Sequence, residues 1–82
     1  WSRGVTNNMK FGEIRSLVSK TDAISIMLTS TGDIDENYIN IKCVPDKYDN
    51  MDVVGFGNVN CVHVHGVDCL LHGTEFYLDD TK

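Results

Sequence analysis

The sequence predicts an α+β fold: one short N-terminal helix packed on a curved, mostly antiparallel sheet of about five or six short strands. Three observations lead there. Phe11, Ile14, Leu17 and Val18 fall at helical spacing near the start of the chain. Downstream, short runs alternate between apolar and polar residues, as half-buried strands do. Glycine, proline and clustered polar residues separate those runs at hairpin intervals.

Each element follows from its residues. Glu13, Arg15, Ser16 and Ser19 take the helix face opposite Phe11, and Thr21-Asp22 ends the helix after about ten residues. A helix this short is unstable alone and must lie on a sheet. In 23-AISIMLTS-30, Ile24, Ile26 and Leu28 alternate with Ala23, Ser25 and Met27, giving a strand with one strongly apolar face. The polar segment 31–37 reads as a turn. A second strand is expected over 38-YINIKCV-44, with Ile39, Ile41 and Cys43 inward. Pro45 ends it, having no N–H for the ladder, and 46–50 turns through a short helical piece.

Further on, 51-MDVVGFGNVN-60 places Val54 and Phe56 on one face and Met51, Val53 and Gly55 on the other. Gly55 and Gly57 point to a bulge, a bend or a close backbone approach. Two short strands over 61–72 and a last one at 75-EFYL-78, with Phe76 and Leu78 inward, complete the sheet. Residues 1–8 lack apolar periodicity and read as a flexible arm or an appended remnant; a strand anchored by Trp1 is the alternative. Residues 9–82 are expected to form a single α+β domain.

Eighty-two residues bury only about 60% of their extended-chain surface, so contacts with a partner, a metal or a second copy matter to stability. A hydrophobic fraction of 41% argues against disorder. No run approaches the ~18 apolar residues of a membrane span. From Met9 onward, six Lys/Arg stand against twelve Asp/Glu, a net of −6. Such a surface repels phosphate backbones, which argues against direct nucleic-acid binding, and it attracts basic protein surfaces. Cys43, Cys61 and Cys69 are odd in number and lack disulfide-scaffold spacing, which points to a reducing cytoplasm.

All three histidines lie in 61-CVHVHGVDCLLH-72. With Gly66-Val67 as a two-residue loop, His65 faces Asp68 and Cys61 faces His72. One face then carries Cys61, His63, His65, Asp68, Leu70 and His72, and the buried face Val62, Val64, Cys69 and Leu71. Cys61, His63 and His72 form a candidate zinc trio, since Zn²⁺ accepts nitrogen and sulfur ligands. The spacing lacks the C-x2-C and H-x3-H steps of zinc fingers, so a half-exposed polar face without a cofactor is the leading reading. Cys61 beside an imidazole also suggests a nucleophile, yet nothing nearby resembles an oxyanion hole, and no enzymatic activity is expected. Asp33–Asn37 begins like a calcium loop, but Tyr38 and Val44 stand where glycine and glutamate are required. The element 55-GFG-57 is no phosphate loop, having no Lys-Ser/Thr after it.

The step Val44, Pro45, Tyr48, Val53, set between an apolar strand at Ala23–Leu28 and an acid-rich C-terminal strand, resembles small uncharacterised accessory proteins of phages and mobile elements from Gram-positive bacteria. The likeness spans most of residues 9–82, and Cys61–His72 departs from it. The resemblance implies a host-takeover or anti-defence protein of the bacterial cytoplasm, such as an anti-CRISPR that occludes a nucleic-acid-binding effector, and transfers no site. The residues themselves suggest a non-enzymatic binding protein that meets a basic partner through Asp33, Asp35 and Glu36 and through Asp49 and Asp52, with Tyr48 as an aromatic anchor. A homodimer through sheet edges is the expected self-association. Two rival functions stand beside it: the zinc protein, and an oligomeric sponge for a nucleotide signal held by backbone donors near Gly55 and Gly57.

Overall fold

A computed structural model of the chain describes residues 9–64, 67–70 and 72–81, the side chains of 67–70 excepted. The octet 1–8, and His65, Gly66, Leu71 and Lys82, lie outside the described residues, as do the expectations that rest on them.

The architecture is α+β. Helix α1 (Phe11–Ile14) continues as a 3-10 turn over Arg15–Leu17. It is shorter than the apolar spacing predicts, and Leu17 is left 73% exposed. Its first turn is held by the Glu13 carboxylate, which accepts from the Lys10 N–H at 2.9 Å, one half of a capping box. Strands β1 (Ala23–Leu28), β2 (Asp33–Tyr38), β3 (Asp52–Val59) and β6 (Gly73–Asp79) form one sheet in the order β2-β1-β6-β3. Strands β4 (Val62–Val64) and β5 (Val67–Leu70) form a separate antiparallel ribbon. The main sheet is antiparallel at its two outer pairings, while β1 and β6 pair in parallel at its centre.

The core lies on one face of that sheet. Ile24 and Ile26 from β1, Phe76 and Leu78 from β6, and Val53 from β3 meet Phe11 of the helix there. Ile41, Val44 and Tyr48 close the core from the connection between β2 and β3. The aromatic rings meet edge to face, Phe11 against Phe76 at 5.3 Å and against Tyr48 at 6.3 Å, a favoured arrangement for their quadrupoles.

Three expectations change here. The chain turns at Thr29–Gly32, where Gly32 takes φ +66° and its N–H bonds the Leu28 carbonyl at 2.8 Å. Strand β2 therefore starts at Asp33, inside the segment expected to be a turn. The stretch expected as a strand, 38–44, instead holds a 3-10 turn at Ile41–Cys43, which buries Ile41 and Val44 and leaves Ile39 and Cys43 exposed. Strand β2 is exposed from Asp33 through Glu36, so it buries no apolar face there and shows no alternation. In β3 a bulge falls between Val53 and Gly55, where the glycines pointed. The extra residue shifts the phase, so Val53 and Phe56 share the core side, contrary to the unbroken alternation.

The second face is smoother. Gly55, Gly57 and Gly73 sit there opposite Tyr77, Glu75 and Val59. Gly73 is the seat of the β4–β5 ribbon: a Cβ on it would collide with the Val62 side chain and approach Val59 Cγ2 to 3.1 Å and the Ala23 carbonyl oxygen to 3.2 Å. Asn37 Nδ2 also donates to the His63 carbonyl at 2.8 Å, tying the ribbon to β2.

Candidate functional site

Strand β2 is the outermost strand on its side, and its burial pattern is exposed from Asp33 through Glu36. Asp33, Asp35 and Glu36 thus stand together on a strand whose outer side pairs with no described strand. Asp33 and Glu36 each accept from the next residue's N–H, Ile34 at 2.8 Å and Asn37 at 3.2 Å. Asp35 accepts from the Tyr48 hydroxyl. The ion pairs recorded among the described residues, Lys10–Asp52 and Arg15–Asp49, both lie elsewhere, so no cation in them neutralises this strip.

The other expected contact residues have internal duties. Tyr48 is 1% exposed and packs in the core, so it cannot serve as a surface anchor. Its hydroxyl reaches Asp35 and lies 3.2 Å from the Tyr38 hydroxyl. Burial first, and these two hydrogen bonds second, push the phenol well above the ordinary tyrosine range. Asp49 is held by Arg15, and Asp52 is buried beside Lys10 at 2.7 Å. Of six expected contact residues, β2 brings three together, and the fold uses the rest.

Arg15 is the functional side chain that the helical pattern misplaces, since it assigns the residue to solvent. Its guanidinium donates to Asp49 Oδ1 at 2.7 Å and to the carbonyls of Ile41, Val44 and Pro45 at 3.2, 2.8 and 2.7 Å. It also lies 5.2 Å from the centre of the Phe11 ring. This fork clamps the β2–β3 connection against the helix and so supports Tyr48, which in turn meets Asp35. No sequence signal marks it, because its acceptors are 26 to 34 residues away.

In the ribbon, Val62 is buried while Cys61, His63 and His72 are exposed, the orientation the alternation predicts. The register differs: Val64 pairs with Val67 and Val62 with Leu70, with a register shift between the two pairs. Cys61 is disulfide-bonded, contrary to the expectation of reduced thiols, and Cys43 is free and exposed. A disulfide sulfur has no thiolate to give, which removes Cys61 as a zinc ligand or nucleophile in this state. Its Sγ lies 3.4 Å from His63 Nε2, a weak contact in which only the imidazole can donate. Among the described residues, no three His, Cys, Asp or Glu side chains gather as a metal site. Gly55 and Gly57 sit on a strand, where their backbone forms no concave anion cradle.

The opposite side of the sheet carries a feature absent from the expectations. Met9, Leu17 and Phe56, all exposed, border an apolar groove of about 420 Å³ between the helix and the β3–β6 edge, with Ile14, Val18 and Phe76 inside it.

Fold and site together define a small α+β protein with an acidic strand on one sheet edge and an apolar groove beside the other. No family model, curated protein or solved structure matches the chain. No described helix is long and apolar enough to cross a membrane.

Proposed function

We propose that this is a non-enzymatic binding protein that occupies a basic protein surface through the edge of β2. One observation supports the reading above all: Asp33, Asp35 and Glu36 are exposed on an outermost strand, within about 10 Å of one another by strand rise. A strand edge offers backbone hydrogen bonds, and the acids supply the sign of charge that a phosphate-binding partner prefers. The anti-defence role implied by the phage-protein resemblance fits this chemistry, because a nucleic-acid-binding effector is basic where it must be blocked. Tyr48 contributes from within, by fixing Asp35.

The test is capture from a bacterial lysate with the native chain and with Asp33→Lys, Asp35→Lys, Glu36→Lys combined. A partner held by the first and lost by the second supports the reading. With that partner purified, charge reversal lowers the association rate by about tenfold or more at low salt, and the native rate falls as salt rises. Rates that ignore both salt and the three substitutions overturn it.

A further inference from the structure

The sheet's other outermost strand, β3, differs from β2 in charge. At its lower end β3 is covered by the chain leading into the helix, through the Lys10–Asp52 bridge and the Val53 N–H to the Met9 carbonyl at 2.8 Å. Beyond that, Val54 to Val59 carries no ionisable residue, and no described strand pairs with its outer side. Phe56 projects from this segment 59% exposed, 6.4 Å from Phe76 between ring centres, over the groove that Met9 and Leu17 border. Large apolar side chains gathered in this way mark a contact surface.

We propose that this edge and groove are a homodimer interface, in which β3 pairs antiparallel with β3 of a second copy about a two-fold axis at Phe56. The two four-stranded sheets become one. Charge selects a second copy as the occupant. Each chain carries a net charge of −5, so self-association requires a patch where like charges do not meet. Val54–Val59 is such a patch, whereas the same pairing through β2 would bring the Asp33, Asp35 and Glu36 carboxylates of both copies close together. The segment also complements itself. With Phe56 on the axis, Gly55 faces the partner's Gly57, and Val54 faces the partner's Asn58. Gly57 has open space where a side chain would stand, which leaves the second face clear for close approach. On the groove side, Phe56 meets the partner's Phe56, and each ring closes over Met9 and Leu17.

Sedimentation equilibrium of the full chain, over a concentration series at low and high salt, tests this. A two-chain mass is expected, favoured by high salt because screening relieves the repulsion between like-charged copies. The proposed basic partner of β2 shows the opposite salt dependence, so the two interactions stand or fall separately. Phe56→Lys raises the dimer dissociation constant by about tenfold or more with an unchanged circular dichroism spectrum. Should that variant fail to fold, Asn58→Lys, at an exposed position on the same edge, carries the same expectation. A single-chain mass throughout overturns the proposal, as does a dimer that ignores these substitutions but whose dissociation constant changes with Glu36→Lys. A monomer in which removing residues 1–8 newly exposes β3 to hydrogen exchange also overturns it, giving the edge to the chain itself.

Discussion

Arg15 and Tyr48 show how single side chains set the site. Arg15 serves a carboxylate and three backbone carbonyls at once, and these would otherwise compete for water inside a half-buried connection. Arg15→Ala is expected to cost about 2–3 kcal/mol in urea unfolding. Arg15→Lys restores only part of that, since one ammonium cannot reproduce a planar fork. Tyr48 makes a pH prediction. Its folded pKa is raised, so its contribution is fully present below the unfolded value of about 10 and is lost as pH climbs toward the folded value. Stability therefore declines above about pH 10, by up to ~1.4 kcal/mol per pH unit for this one proton. Tyr48→Phe flattens the decline, which unfolding curves between neutral and alkaline pH measure. From the sequence, Tyr48, an aromatic among acids, reads as a surface anchor. Three-dimensional packing chose the core.

Among elements, those with an apolar face were legible and those without one were not. Strands β1 and β6 announce themselves through Ile24, Ile26, Phe76 and Leu78, all buried as the alternation predicts. Strand β2 is hidden because DIDENY is polar on both sides, the signature of an edge rather than of a turn. The bulge in β3 was foreseeable from its glycines, but the phase change it causes depends on which residue goes unpaired. In the ribbon, a shifted register changed the described cross-strand pairs while leaving Val62 inside and His63 outside. Gly73 tests how the ribbon is seated. Gly73→Ala overfills the contact with Val62 and is expected to cost about 1–3 kcal/mol, read as a lowered melting temperature. The disulfide makes a separate prediction: iodoacetamide labels Cys43 in the native protein and reaches Cys61 only after reduction, as peptide mass spectrometry resolves.

For the molecule as a whole, the distribution of charge matters more than its total. A net of −5 repels copies of the chain, yet the two sheet edges respond to it in opposite ways. The acidic edge concentrates negative charge at Asp33, Asp35 and Glu36, while Val54–Val59 on the other edge carries none. The α+β class was readable from one helical period and a series of alternations. The parallel pairing at the centre of the sheet was not, because nothing local relates residues 23–28 to residues 73–79. Removing Gly73–Asp79 takes away the strand between β1 and β3, and far-ultraviolet circular dichroism of that truncation is expected to show an unfolded chain.

That same central pairing sets the order of events during synthesis. Strand β1 leaves the ribosome before β6 and waits for that neighbour some fifty positions later, so its aliphatic side stays uncovered while the intervening chain is made. Closing so wide a loop is slow compared with zipping a local hairpin. The nascent polypeptide is therefore most vulnerable to chaperone capture and aggregation just before β6 emerges.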